Sequence, residues 1–257
     1  MMEHSQTPTS RFSSRVRSYV LYRPHYPEAI IPHLINACGL AQNSIVADIG
    51  SGTGFLSELF LEFGNTLYGV EPNLEMREAG EHYLERFTEF HSIDGTAEAT
   101  TLGDSSVDIV AAGQAFHWFN VPKSIAEFKR ILKPNGKAVI VWNERLTNSS
   151  QFLREYEDLL LKFGTDYTTI NHTNIQDSSI AALYEPTSYE LKIFDNTQLV
   201  DFEGLRGRFD SSSYVPSPEA TNYSEAIEAL RNVFERNAVN DQVAIEYACK
   251  VHTGTLA

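Results

Sequence analysis

The stretch that most constrains this chain runs from residue 44 to residue 63. A short, mostly apolar run, 44–49, leads into three glycines at alternate positions, Val46-Ala47-Asp48-Ile49-Gly50-Ser51-Gly52-Thr53-Gly54, and 55–63 follows with helical spacing. Six residues are too few for a helix of that hydrophobicity, and glycines punctuate its end, so the stretch reads as strand, tight turn and helix. Glycines at such a turn let the backbone bend sharply and come closer to a ligand than any Cβ would allow, with a helix N-terminus aimed into the same crevice.

The same grammar repeats downstream. Residues 66–70 predict a second strand, 73–87 a helix, 89–93 a third strand and 107–112 a fourth; a helix over 122–132 stops at Lys133-Pro134-Asn135-Gly136 and a fifth strand follows over 137–142. Apolar strands alternating with amphipathic helices build a mostly parallel α/β sheet with helices on both faces. After about Thr147 the pattern turns helix-rich, with helices expected over 151–164, 196–208 and 223–237 and two last strands over 189–194 and 243–252. A helical excursion between those two strands would cap the open end of a site. The expected division is 1–147, an N-terminal segment with the cofactor-binding core, and 148–257, the cap region and last two strands of the same structural domain.

Bulk chemistry narrows the partners. A formal charge of −14 opposes general affinity for nucleic acid or anionic membrane. Cys38 and Cys249 lie far apart with no ligand spacing around them, which speaks against a metal site or a disulfide framework. No apolar run is long enough to span a bilayer and residues 1–17 are polar, so a cytoplasmic protein, monomeric or homodimeric, is the expectation.

Two acids define the ligand. Asp48 stands before the glycines, and Glu71 follows the second strand, where a carboxylate can accept from both hydroxyls of a ribose; Pro72 fixes the turn. A dinucleotide fingerprint needs a small residue at position 55, where this chain has Phe55, and Asp48 would repel a pyrophosphate. The ammonium and sulfonium of S-adenosyl-L-methionine suit that acid.

In order and spacing these motifs resemble the class I S-adenosylmethionine-dependent methyltransferases, and within them the type 11 branch, over about 45–143. Asp48 to Gly54 is similar to the cofactor loop, Gly69-Val70-Glu71-Pro72 to the ribose turn, Ile93-Asp94-Gly95-Thr96-Ala97-Glu98 to the adenine segment and Leu132 to Gly136 to the turn before strand five. Thr96 stands where many relatives carry an acid, so the backbone or Glu98 is expected to serve there. The resemblance implies a Rossmann-like seven-stranded sheet with a helical cap from the C-terminal half. It implies cofactor contacts from Asp48, Gly50, Ser51, Gly52, Gly54, Glu71, Pro72, Thr96, Ala97, Glu98 and Gln114.

A narrower resemblance, to trans-aconitate methyltransferases, rests on Ala112-Gly113-Gln114-Ala115-Phe116-His117-Trp118-Phe119, on Tyr19-x-x-Tyr22-Arg23-Pro24-x-Tyr26-Pro27 and on Ser211 to Pro216. It implies a small-molecule acceptor, with Tyr22, Arg23, Phe116, Trp118, Arg208 and Tyr214 as substrate-binding candidates and no metal. O-methylation of a carboxylate needs no base, because the acceptor attacks as the anion, oriented by Arg23 or Arg208. For a hydroxyl acceptor His117 is the candidate base, with a backbone-bonded histidine as the rival reading. The alternatives are cofactor binding without methyl transfer and a nicotinamide-dependent oxidoreductase, the latter disfavoured by Phe55.

Overall fold

The structure, a computed structural model, describes residues 22–165, 167, 177–212 and 214–256. Tyr19 and the 1–17 segment lie outside these residues. One seven-stranded sheet organises the rest: β1 (Ile45–Ile49), β2 (Thr66–Val70), β3 (Phe90–Ile93), β4 (Val107–Gly113), β5 (Leu132–Arg145), β6 (Tyr189–Val200) and β7 (Val243–Gly254), in spatial order β3-β2-β1-β4-β5-β7-β6. β1 to β5 are parallel, and β7 lies antiparallel between β5 and β6. The order reverses between β1 and β4. A doubly wound sheet opens its ligand crevice at that switch point, beyond the carboxyl ends of the strands.

Period-two alternation sends neighbouring residues of each inner strand to opposite faces. Val46, Ile109, Val139 and Val141 pack on one face with α1 (Ile30–Cys38) and α2 (Phe55–Phe63). Ala47, Ile49, Val110 and Ile140 pack on the other with α4 (Val121–Ile131) and α6 (Asp177–Tyr184). α3 (Leu74–Tyr83) is fixed at its start by Asn73, whose side chain accepts from the Met76 N–H at 3.0 Å.

A third apolar cluster forms the cap. α5 (Gln151–Phe163), α7 (Phe202–Asp210) and α8 (Tyr223–Asn237) bury Tyr156, Leu160, Leu205, Phe209 and Leu230 against Ile245 and Tyr247 of β7. Among these apolar groups Arg145 is buried, paired with Glu157 and donating to the Tyr167 hydroxyl at 2.8 Å. The cap therefore grows from both connections, β5 to β6 and β6 to β7, rather than from the last one alone.

The structure corrects one expected helix. Residues 196–200 continue β6, pairing with 247–243 of β7, and α7 starts only at Phe202, where the Asp201 carboxylate accepts from the Gly204 N–H at 2.8 Å. Polar Asn196 and Gln198 alternating with Thr197 and Leu199 suit a strand edge, and the Asp201 cap marks the true helix start. The expected turn at 133–136 is absorbed into β5 as an irregularity: pairing jumps from Val107–Leu132 to Ile109–Lys137, with Asn135 in the left-handed region at φ 68°.

Candidate active site

A cavity of about 290 Å³ opens at the switch point. Its first end is built from backbone. Gly50 and Gly52, at φ 68° and 55°, take the chain over the tip of β1 in a conformation disfavoured for side-chain-bearing residues. A Cβ on Gly50 would lie 2.6 Å from the Ala115 Cβ, so the loop also packs against the start of the segment after β4. Ser51, Pro72, Thr96 and Ala97 line this end beside them, whereas Gly54 abuts Leu84 and does not reach the cavity.

Two carboxylates meet here. Asp48 is buried; one oxygen accepts from the Ser57 hydroxyl at 2.7 Å, and Oδ1 has no hydrogen-bond partner among the described residues. Burial, with the Glu71 charge adding to it, pushes the Asp48 carboxyl up to about 7 against the lowering effect of Ser57. Glu71 accepts from the Gly52 N–H at 3.0 Å and the Asn73 N–H at 2.8 Å, tying the glycine loop to the turn after β2. Its pKa is also raised by burial, against those two N–H groups and Arg77. Asn73 is the cap of α3, so Glu71 does not perform that role.

Two further candidates are engaged by the protein itself. Glu98 lines the cavity but accepts from the Asn120 N–H at 2.7 Å, holding the start of α4. Gln114, at φ 56°, donates to the Asn143 carbonyl at 3.2 Å and accepts from the Asn143 N–H at 3.0 Å, so its carboxamide bridges β4 to β5 at the cavity wall.

The other end is built from side chains brought together from distant parts of the chain. Arg23, Trp118 and Arg208 line it, joined by Tyr26 and Phe119 from the same two sequence motifs, and by Asn143 and Tyr247, which sequence reasoning did not place there. Asn143 and Tyr247 lie on separate strands whose alternation says only that one face is inward; no local motif marks them. Arg208 is 4% exposed, donates to the Tyr247 hydroxyl at 3.3 Å and the Ser212 hydroxyl at 3.5 Å, and makes no ion pair among the described residues. Tyr22, Phe116 and Tyr214 do not line the cavity: Tyr22 rests on Gly207, while Phe116 and Tyr214 are buried in core clusters.

His117 also stands off the cavity wall. Its ring lies 4.3 Å from that of Trp118 and 5.3 Å, edge-on, from that of Trp142. Packing against these indoles desolvates the ring and lowers its pKa to about 4, although the residue as a whole is exposed to solvent. Among the described residues no group of three or more His, Cys, Asp or Glu side chains could hold a metal ion, and no helix is long and apolar enough to cross a membrane.

Known proteins agree with this architecture. A methyltransferase domain model matches residues 47–140. Over 236 residues the chain is 32% identical to an uncharacterized methyltransferase of Schizosaccharomyces pombe, an alignment covering 90% of this chain and 91% of that one. The chain belongs to the methyltransferase family. An uncharacterized methyltransferase of Mycobacterium tuberculosis is 37% identical over 134 residues, 52% of each chain. Among solved structures, a candidate type II methyltransferase from Anaeromyxobacter dehalogenans shares the fold, with a TM-score of 0.69 at 20% identity over 91% of this chain and 97% of that one.

The residues of the methyltransferase at this end fit S-adenosyl-L-methionine as the methyl-donating cofactor. The orphaned Asp48 oxygen offers a buried acceptor to a cationic group. A Cβ on Gly52 would come within 3.3 Å of the Met76 side chain, so the loop is tight at the point where backbone and ligand would meet. Glu71, Pro72 and Ala97 complete the wall that would face the nucleoside.

Proposed function

We propose that this methyltransferase O-methylates a small carboxylic acid. The observation that carries the reading is Arg208, a buried guanidinium on the cavity wall with no carboxylate partner among the described residues. A guanidinium stays charged in a protein and carries five N–H donors in a fork that matches a carboxylate, and its contacts to Tyr247 and Ser212 use two of them. A buried charge left unpaired is costly, so an acceptor carboxylate would complete the site.

S-adenosyl-L-methionine, when bound, supplies a methyl group already activated for in-line displacement. Arg208 and Arg23 orient the acceptor, and the Tyr247 hydroxyl fixes the guanidinium. A carboxylate arrives ionised, so no residue has to remove a proton. The position of His117, off the cavity wall and with a depressed pKa, supports this over a hydroxyl acceptor needing a base. The resemblance of Ala112 to Phe119 to trans-aconitate methyltransferases supports the same acceptor class, and the cap after residue 147, which supplies Arg208, is the part that would select among acids. Two free cysteines and the acidic charge support a cytoplasmic location.

The test is a methyl-transfer screen of mono-, di- and tricarboxylic acids, phenols and amines with the wild-type enzyme and Arg208→Lys. Turnover of carboxylic acids, with kcat/KM lowered about 100-fold by the loss of the planar fork, is expected. Turnover confined to phenols or amines and unaffected by Arg208→Lys would overturn the proposal.

A further inference from the structure

Residues 22–27 cross the carboxyl ends of β5 and β6 and carry Arg23, Pro24 and Tyr26 into the cavity wall. Pro24 and Pro27 have no N–H to give, so this crossing cannot zip onto the sheet as a further strand. Side chains of the sheet take its carbonyls instead. Asn196 Nδ2 donates to the His25 carbonyl at 2.8 Å and to Asn143 Oδ1 at 3.1 Å; Gln198 Nε2 donates to the Tyr22 carbonyl at 3.0 Å. Asn143 Nδ2 adds a longer contact to the His25 carbonyl, 3.4 Å.

The anchor is itself held. Asn143 is gripped through its backbone by Gln114, whose left-handed conformation persists only because surrounding contacts sustain it. From the cap side, the Tyr22 ring sits on Gly207 so closely that a Cβ there would lie 2.0 Å from the Tyr22 ring, and Arg23 Nη2 donates to the Ser211 carbonyl at 3.1 Å. Sheet and cap thus pin one short segment from two directions. Asn196 and Gln198 do not line the cavity themselves.

We propose that Asn196 and Gln198 are positioning residues for the acceptor: by capping the carbonyls of Tyr22 and His25 they hold Arg23 and Tyr26 at the acceptor end of the cavity. This rests on reading the Arg23 and Arg208 wall as the acceptor site. Asn196→Asp keeps the shape and removes the donor, placing a carboxylate against two oxygens, and Gln198→Leu removes the second donor.

The experiment is hydrogen exchange of a peptide spanning 22–29, with titration of S-adenosylhomocysteine and steady-state kinetics on the panel acid turned over fastest. The double variant is expected to exchange about tenfold faster in 22–29 and to raise the KM for the acid about tenfold, with S-adenosylhomocysteine affinity held within about twofold. In an Arg23→Ala background the same two substitutions should raise KM by much less than in the wild type, because the larger part of their effect passes through Arg23 and only the rest through Tyr26. Unchanged exchange in 22–29, a KM effect additive with Arg23→Ala, or a matching loss of S-adenosylhomocysteine affinity would each overturn the proposal. If the wild type methylates no acid, the acceptor reading falls, and the exchange measurement alone decides whether the segment is pinned by these amides.

Discussion

The two ends of the cavity are made in different ways. At the glycine loop the protein uses backbone: φ angles open to glycine, N–H groups and two carboxylates, all within about 24 residues of chain from Asp48 to Glu71. At the far end it uses the side chains of Arg23, Trp118, Asn143, Arg208 and Tyr247, drawn from five separate segments. A backbone cradle tolerates little change in its own sequence and suits a ligand that does not vary. An assembly of side chains can be rebuilt one residue at a time, which suits a site whose ligand differs among enzymes of one fold.

That contrast predicts the largest effect at the cradle. Gly50→Ala places a Cβ 2.6 Å from the Ala115 Cβ at a φ of 68°, combining overlap with left-handed strain. The two together should cost about 2–5 kcal/mol of stability by denaturant titration. S-adenosylmethionine affinity of the folded fraction should fall at least about 100-fold, since a 1 Å displacement of a binding loop is costly. Near-normal binding would mean that the loop is as adaptable as the other end, and the comparison would collapse.

Asp48 sharpens the same end through pH. Its folded pKa, about 7, lies above the ordinary carboxylate value, so the folded state holds this proton more tightly than the unfolded chain. The sign follows: the contribution of Asp48 to stability of the free protein is fully present at the acid side and is lost as pH rises from about 4 to 7, where Asp48 is forced to ionise in the fold. A cationic ligand favours the ionised form, so affinity should drop about tenfold from pH 8 to pH 6. Asp48→Asn should remove both dependences, read by calorimetric titration and thermal melts across that range. A wild-type affinity flat with pH would separate Asp48 from the ligand's charge.

How much of this was legible follows from the same division. The cofactor end could be read because its determinants are local: Gly50, Gly52 and Glu71 announce themselves by spacing, and the strands around them by their apolar runs. Gln114 and Glu98 lay in recognisable segments, yet their carboxamide and carboxylate turn to Asn143 and Asn120, partners that only the folded chain supplies. At the acceptor end, Arg208 and Trp118 were recognisable as candidates. Tyr247 and Asn143 were not, because a tyrosine or asparagine in a strand looks the same whether it faces a core, a partner or a cavity. The continuation of β6 through 196–200 was missed for a related reason: its polar face serves the 22–27 crossing, a long-range contact that mimics the polar side of a helix.

A smaller effect tests the acceptor end. Tyr247→Phe keeps the ring and removes the hydroxyl 3.3 Å from Arg208 Nε, freeing the guanidinium to shift. One hydrogen bond to a charged group should be worth about a tenfold loss in kcat/KM for the acceptor. S-adenosylhomocysteine affinity should be unchanged. A loss shared by both ligands would show that the two ends are coupled through β7.

The smallest effect is expected at His117, and it bears most directly on the chemistry. The residue stands beside Trp118, which lines the cavity, but its own ring packs against the Trp118 and Trp142 indoles, off the cavity wall, and that packing lowers its pKa. A general base contributes about 100-fold or more to rate, and its pKa shapes the pH profile of kcat. Since a carboxylate acceptor carries no proton to remove, His117→Ala should change kcat less than about threefold and leave that profile unaltered above pH 5, with any cost appearing as looser packing of Trp118. A drop of about 100-fold, with loss of an ionisation from the profile, would place a base at a residue that stands off the cavity wall and would require a hydroxyl acceptor in place of the acid.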